Sequence, residues 1–177
     1  YKRQEVIGCG VEIKGKVKGD ILPFNYDNFK WNKIIICTDA DKDGYHIRTL
    51  ILSMLNRLLP TLIKMGRVYI VESPLFEINT KNETFYAYTE REKLDIIAKI
   101  GDAKYTIQRS KGLGENDPEM MWMTTMNPET RRLIKVMPED AARTSQIFDL
   151  LLGDNLAGRK QHIADYGADY LDQLDLS

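Results

Sequence analysis

Three aspartates stand at alternate positions directly after a short run of isoleucines. Residues 34–36 are all isoleucine, and Asp39, Asp41 and Asp43 follow closely, with Gly44 after the last of them. An apolar, β-branched run is typical of a buried strand, and open α/β sheets place their sites at the carboxyl ends of such strands. Three carboxylates this close repel one another unless a cation or protons offset their charge. The spacing therefore predicts a site for a hard divalent metal ion, with Mg²⁺ as the expected cation.

The residues after this acidic turn (residues 39–43) predict the elements that hold it. Apolar residues recur at three- and four-residue spacing as far as Pro60, as expected of a helix with one broad apolar face. They are Ile47, Leu50, Ile51, Met54, Leu55, Leu58 and Leu59. A second apolar strand is predicted at residues 67–72. Strand, helix and strand in this order predict a βαβ unit with parallel strands.

The middle of the chain predicts shorter elements. Residues 75–88 have the pattern of a hairpin, and Thr89 opens a helix that Gly101 closes. A further strand is predicted at residues 104–109. At residues 111–115, two glycines between a lysine and a glutamate let the backbone come close to a ligand or another chain.

The last third of the chain predicts helices. Pro118 and Pro128 each follow an N-cap residue and precede an acid, which is typical of a helix start. A last helix is predicted to begin near Pro138 and to end before Gly153, and a polar, acidic stretch closes the sequence.

Composition and charge restrict the class of protein. The chain has 177 residues, enough to bury a core, and no apolar run approaches the roughly 20 residues of a membrane span. With no signal-peptide pattern, we expect a cytoplasmic protein without a membrane segment. Cys9 and Cys37 have neither metal-ligand nor disulfide spacing, so both are expected to be reduced and buried. The chain also starts as if inside an element, which indicates a piece of a longer protein.

The net charge of −1 is unevenly spread. It is +3 over residues 1–33, −1 over residues 34–103, +2 over residues 104–135 and −5 over residues 136–177. A nearly neutral total argues against a protein that holds nucleic acid by overall charge alone. The local basic segments leave a nucleic-acid site shared with a partner open.

Three other classes of protein also carry closely spaced acidic residues. An EF-hand calcium loop that began at Asp39 would need a glutamate at its twelfth position, where Leu50 stands, so this class is excluded. A phosphotransferase with an aspartate nucleophile also places Asp-x-Asp after a buried strand, and Lys64 is available to it, but no acidic pair follows. A non-catalytic docking module with structural carboxylates explains one or two acids at a helix start, but not three. The second and third classes remain alternatives.

A longer pattern covers nearly the whole chain. Residues 38–50 closely resemble the acidic motif of the Toprim domain in the B subunits of bacterial type IIA topoisomerases, DNA gyrase and topoisomerase IV. Residues 66–70, 74–75, 111–115 and 122–131 match the same family in the same order. The resemblance implies an α/β Toprim fold, a Rossmann-like parallel sheet with flanking helices, followed by a smaller and mostly helical tail.

The resemblance also implies a division of the chain. Residues 1–78 would be a Toprim domain without its first strand and glutamate segment, residues 79–104 a hairpin and helix, and residues 105–177 the tail of the B subunit. The family uses a glutamate from an upstream Glu-Gly-Asp segment, which the sequence does not contain. The attacking tyrosine belongs to the A subunit. No catalytic residue is therefore assigned in this chain, and the chain alone is expected to be inactive.

By resemblance, the aspartates would be the Mg²⁺ ligands, with Asp39 and Asp41 as the main ligands and Asp43 completing the cluster. The complete enzyme would be an A₂B₂ heterotetramer that cleaves and religates both DNA strands, driven by ATP bound to a domain outside this sequence. Four residues are assigned to contacts with DNA or the A subunit: His46, Arg48, Arg109 and Lys111.

Overall fold

The computed structural model describes residues 6–13, 22–110, 112–138 and 141–169. Its helices and strands are β1 (Ile34–Ile36), α1 (Lys42–Leu58), α2 (Pro60–Lys64), β2 (Val68–Val71), β3 (Phe76–Thr80), β4 (Thr84–Ala87), α3 (Glu90–Ile100), β5 (Tyr105–Arg109), α4 (Pro118–Met121), β6 (Leu133–Lys135), α5 (Ala141–Leu152) and α6 (Leu156–Tyr166). A π-helical turn, Trp122–Met126, follows α4. Short 3-10 turns occur at Tyr26–Asn28 and Leu113–Glu115.

The chain forms two units by residue contacts. The first unit comprises Tyr1–Asn32, Leu52–Arg67 and Val136–Ser177, and the second comprises Lys33–Ile51 and Val68–Lys135. The division falls inside helix α1. The proposed limits at residues 78 and 104 stay a prediction.

The second unit contains a mixed sheet with the strand order β1-β2-β6. Strands β1 and β2 pair in parallel, with Ile35 opposite Tyr69, which confirms the predicted βαβ unit. Strand β6 joins the other edge of β2 in the antiparallel direction, with Ile134 opposite Ile70. Val68 and Val71 of β2 are fully buried, as expected of a central strand that is covered on both faces.

A second sheet in the same unit is entirely antiparallel, with the order β4-β3-β5. The predicted hairpin is confirmed, and Ile78 of β3 lies between Phe85 and Ile107 and is fully buried. Helix α3 packs against this sheet. It begins after Thr89, whose side chain accepts a hydrogen bond from a first-turn N–H, and it ends at Gly101 with a φ of 61°.

The core of the first unit lies around the second half of α1. Leu55, Leu59 and Leu62 are almost completely buried. The carboxylate of Glu12 accepts hydrogen bonds from the N–H and the hydroxyl of Thr61, both at 2.8 Å, and so caps the start of α2. Among the described residues, none of the helices combines the length and the apolar character needed to cross a membrane.

Helix α1 confirms the predicted helix, but the first half of its apolar face is exposed rather than packed in the core. Ile47 and Leu50 are 51% and 50% exposed, whereas Leu55 and Leu59 are buried. A period of three and four residues shows that one face of a helix is apolar, but it does not show what covers that face. None of the described elements of the second unit covers Ile47 or Leu50, which remain half exposed to solvent.

Two predictions for the last third also need correction. The segment after Asn127 is a single turn rather than a helix. The side chain of Asn127 accepts a hydrogen bond from the N–H of Glu129, and β6 begins soon afterwards. The stretch after residue 154 contains helix α6, which Asn155 caps by accepting from the N–H of Gly158. Helix α5 confirms the helix predicted after Pro138, although residues 139 and 140 lie outside the described part.

Candidate functional site

The acidic turn connects β1 to α1. Asp41 immediately precedes α1, and its Oδ1 accepts a hydrogen bond from the N–H of Gly44 at 2.7 Å. Aspartate is favoured at this position because its oxygen satisfies an N–H that the first helical turn leaves unpaired. The Asp41 carboxylate is therefore fixed locally, by the helix that it starts.

Gly44 lets the first turn of α1 lie directly against the backbone of Asp39. A Cβ atom at this buried position would stand 2.1 Å from the Asp39 carbonyl oxygen, which is well inside contact distance. Any other residue would push the helix start away from Asp39. The glycine that follows the three aspartates is thus required by close packing.

Asp39 is held by a segment far along the chain. Its Oδ1 accepts a hydrogen bond from the backbone N–H of Leu113 at 2.8 Å, across a separation of 74 residues. Leu113 begins the 3-10 turn Leu113–Glu115, directly after Gly112. The sequence predicted that this turn brings its backbone close to a ligand or another chain; the structure brings it to Asp39 of the same chain.

No ion pair between described residues involves any of the three carboxylates. Asp39 and Asp41 are partly buried, and Asp43 is exposed on the first turn of α1. The donors that hold Asp39 and Asp41 are neutral backbone N–H groups.

Cys37 and Thr38 connect β1 to Asp39 and lie next to the acidic turn. The side-chain oxygen of Thr38 is buried, and no hydrogen-bond partner for it is found among the described residues. Cys9 is buried as predicted, but Cys37 is exposed, so the prediction of a buried thiol is wrong there. The pKa of the Cys37 thiol is raised because nearby atoms partly desolvate it and the Asp39 carboxylate disfavours the thiolate, whereas Arg48 opposes the shift.

Two protein-family models together match most of the chain. The Toprim domain model matches residues 10–73, and the model described as DNA gyrase B subunit, carboxyl terminus, matches residues 102–164. The acidic turn lies in the first match, and Leu113 lies in the second. Residues 10–73 are therefore similar to the Toprim domain, and residues 102–164 are similar to the carboxyl terminus of gyrase B subunits.

Curated relatives agree with these two matches. The B subunit of DNA gyrase from Synechocystis sp. is 41% identical over 177 residues, which cover 99% of this chain and 16% of that protein. The Thermotoga maritima subunit is 44% identical over 140 residues, or 79% of this chain and 22% of that protein. The Thermus thermophilus subunit is 39% identical over 164 residues, which cover 93% of this chain and 25% of that protein. The chain thus spans about a fifth of the length of these relatives.

The Toprim family implies a Mg²⁺ site, and the donor chemistry of the acidic turn fits this ion. Mg²⁺ prefers oxygen ligands, keeps several waters, and is usually held by one or two carboxylates. Asp39 and Asp41 each use one oxygen for a backbone N–H, which leaves the second oxygen able to bind a cation. Within the described ranges, no three histidine, cysteine, aspartate or glutamate side chains gather into a metal-binding group. The fit of this site to Mg²⁺ therefore depends on the two positioned carboxylates of Asp39 and Asp41. Asp43 follows them closely in sequence.

The other assigned residues of the Toprim and tail segments lie in different settings. His46 is exposed on α1, and the guanidinium of Arg48 lies 5.1 Å from the centre of the Tyr45 ring. The Nε atom of Arg48 is buried without a hydrogen-bond partner among the described residues. Arg109 is the last residue of β5, and Lys111 lies outside the described part of the chain.

Sequence reasoning did not assign roles to Gly44, Thr38 or the Leu113 N–H. Gly44 could have been found, because a glycine just inside a helix start invites the question of what lies against it. The Leu113 N–H had only a weak signal, the glycines on both sides of it. Nothing in the sequence pairs Leu113 with Asp39.

Proposed function

We propose that this chain is the Toprim and tail segment of a type IIA topoisomerase B subunit, and that it supplies the Mg²⁺-binding carboxylates for DNA cleavage and religation. Asp39 and Asp41 are the main ligands, and Asp43 completes the set. The observation that carries the proposal is the hydrogen bond from the Leu113 N–H to Asp39, because it joins the Toprim motif to the gyrase B carboxyl-terminal motif at one carboxylate.

The residues of this chain act mainly through position and charge. Asp39 and Asp41 are held by backbone N–H groups, and together with Asp43 they attract a divalent cation to the end of β1. When bound beside the scissile phosphate, Mg²⁺ stabilises charge on the transferring phosphoryl group and on the leaving 3′-oxygen. The basic and polar residues assigned to DNA or partner contacts are His46, Arg48, Arg109 and Lys111.

The remaining components of the reaction come from outside these residues. A tyrosine of the A subunit attacks the DNA phosphodiester, and reversal of the same step reseals the strand. In the intact cytoplasmic A₂B₂ enzyme, another domain of the B subunit couples these steps to ATP hydrolysis. The 177 residues alone are therefore expected to leave DNA uncut.

Binding of Mg²⁺ by the wild-type chain and by Asp41→Asn tests the site. Asparagine caps a helix about as well as aspartate, so this variant removes a charge and keeps the start of α1. We expect isothermal titration calorimetry to show a Mg²⁺ affinity that falls about tenfold or more in Asp41→Asn, in proportion to the lost ligand. Asp95→Asn, on the exposed side of α3, is the matched control and should bind as the wild type does.

The same titration separates the alternatives. Equal Mg²⁺ binding by the wild type and Asp41→Asn, or no binding by either, would favour a docking module with structural carboxylates. A covalent phosphate trapped on Asp39 would favour a phosphotransferase.

A chimaeric protein tests the DNA chemistry. The chain would replace the matching segment of the Thermus thermophilus gyrase B subunit, with which it is 39% identical over 164 residues. Paired with the A subunit of that organism, the chimaera should cleave plasmid DNA, and the same chimaera with Asp39→Asn should lose at least about 100-fold in rate. Equal cleavage by both would contradict the assignment of Asp39.

A further inference from the structure

The three aspartates of the acidic turn differ in how they are held. Asp41 receives an N–H from its own helix, three residues away, and Asp43 is exposed. Asp39 instead depends on the N–H of Leu113, in a segment 74 residues away. Its backbone is also fixed, because Gly44 packs against its carbonyl oxygen. Among the described residues, a remote segment thus holds the Asp39 side chain, whereas the Asp41 side chain is held locally.

The remote segment presents the backbone N–H of Leu113 to Asp39. Gly112 is extended, with a φ of −123° and a ψ of 144°, and Leu113 then starts a 3-10 turn. Added Cβ atoms at Gly112 or Gly114 would meet nothing within 4 Å. Neither the backbone conformation at Gly112 nor packing against the described residues therefore requires these glycines, and the hydrogen bond that the described part of this turn makes to the acidic site comes from the Leu113 N–H.

We propose that the backbone N–H of Leu113 is a positioning group for Asp39, so that residues 112–115 set how tightly the acidic turn binds Mg²⁺. A hydrogen bond between an N–H and a carboxylate is charge-assisted and directional, so it holds one oxygen and orients the other. Partners of this kind around a metal site typically change the metal affinity 10- to 100-fold. The inference rests on the proposed function, since it takes Asp39 as a Mg²⁺ ligand.

Replacement of Leu113 by proline removes this N–H and puts the ring Cδ where the hydrogen stood, so the Asp39 side chain must turn away while the backbone of the turn can keep its conformation. Proline suits the first residue of a helical turn, and the extended conformation of Gly112 suits the residue before a proline. Leu113→Ala is the matched control, since it removes the side chain and keeps the N–H. We expect calorimetry to show Mg²⁺ affinity about tenfold lower in Leu113→Pro and unchanged in Leu113→Ala.

The outcomes separate this inference from the proposed function. No Mg²⁺ binding by the wild type would overturn the proposed function, and the inference with it. Wild-type binding with an equal affinity in Leu113→Pro would overturn the inference alone. Equal losses in Leu113→Pro and Leu113→Ala would assign the effect to the leucine side chain and also overturn it.

A measurement on the unsubstituted chain keeps the test independent of how the proline variant folds. In an amide NMR titration, Mg²⁺ bound to Asp39 withdraws charge from the acceptor of the Leu113 N–H. The Leu113 cross-peak should therefore move with the same midpoint as the calorimetric binding, and it should stay still in Asp39→Asn. The Glu92 amide, which donates to the neutral hydroxyl of Thr89, is the reference. Binding that leaves the Leu113 cross-peak unmoved would overturn the inference.

Discussion

Two groups of charged residues in the second unit hold their carboxylates by opposite means. In the acidic turn, Asp39 and Asp41 accept hydrogen bonds only from neutral backbone N–H groups in the part of the chain that the structure describes. In a second cluster, here called the charge clasp (Tyr88, Glu92 and Arg132), Glu92 pairs with Arg132 at 2.7 Å. The guanidinium of Arg132 also lies 3.9 Å from the centre of the Tyr88 ring.

The type of partner distinguishes a carboxylate that stabilises the fold from one that can bind a ligand. Glu92 has its charge neutralised within the chain, and its other oxygen accepts from the N–H of Tyr88. In the acidic turn, Asp39 and Asp41 are positioned by neutral donors and are in no ion pair with another described residue, which is the arrangement that a cation site needs. A carboxylate that is positioned by neutral donors is thus the better candidate for a metal ligand than one that is paired with arginine.

Gly44→Ala should disrupt the acidic turn and have the largest effect on stability. The new Cβ would meet the Asp39 carbonyl oxygen at 2.1 Å, so the start of α1 must shift. We expect the free energy of unfolding to fall by about 3 kcal/mol, as for the more severe cases of overpacking. Chemical denaturation measures this change.

Gly112→Ala is the control for that substitution. Gly112 has an ordinary φ of −123°, and an added Cβ meets nothing within 4 Å. We expect no loss, or a gain of up to about 1 kcal/mol from the reduced freedom of the unfolded chain. Equal losses for the two variants would mean that close packing is not what holds the acidic turn.

Arg132→Ala should break the charge clasp with a smaller loss. It removes a partly exposed ion pair and a contact with the Tyr88 ring, which together are worth about 1–2 kcal/mol. Arg132→Lys keeps the charge but not the planar group, so about half of this loss should remain. Thermal and chemical unfolding both measure it. A loss below about 0.3 kcal/mol for Arg132→Ala would show that the clasp contributes nothing to the fold.

The pH dependence of the clasp gives a third and smaller effect. Partial burial acts to raise the pKa of Glu92, but the hydrogen bonds from Arg132 and from the Tyr88 N–H outweigh it, and the pKa lies below its usual value of 4.5. The stabilisation is therefore fully present above about pH 4.5 and is lost as the pH falls through the lower pKa of the folded state.

Comparison of the wild type with Glu92→Gln measures this contribution. The difference in the free energy of unfolding should be below about 1 kcal/mol at pH 7 and should shrink towards zero near pH 3. Glu83→Gln, in the exposed turn of the hairpin, is the control. A difference that grows as the pH falls would contradict the assigned direction of the Glu92 pKa.

Local patterns predicted the elements that carry these two clusters. Strand β1, the hairpin and both ends of α3 follow from short-range signals, such as the capping residue Thr89 and the glycine at position 101. The segment at Asn127 shows the limit of such signals. An N-cap residue before a proline suits a turn as well as a helix start, and the pairing of β6 with β2 ends the turn.

The arrangement of the candidate site needed contacts that the sequence does not encode locally. The three aspartates and their place after β1 were predictable from residue type and spacing. The N–H that holds Asp39 comes from Leu113, and no period or cap links positions 74 residues apart. The exposure of Ile47 and Leu50 likewise depends on which elements cover α1, and that is set by the tertiary fold rather than by the period of the helix.

Asp43→Asn should have the smallest effect on stability, and its effect should depend on the presence of Mg²⁺. Asp43 is exposed in the first turn of α1, where the helix dipole favours an acid by about as much as two neighbouring carboxylates disfavour it. Without divalent ions we expect the free energy of unfolding to change by less than about 0.5 kcal/mol. With Mg²⁺ present, the wild type should gain stability that Asp43→Asn gains only in part. A loss above about 1 kcal/mol without Mg²⁺ would show that Asp43 has a structural partner, and the acidic turn would then resemble the charge clasp.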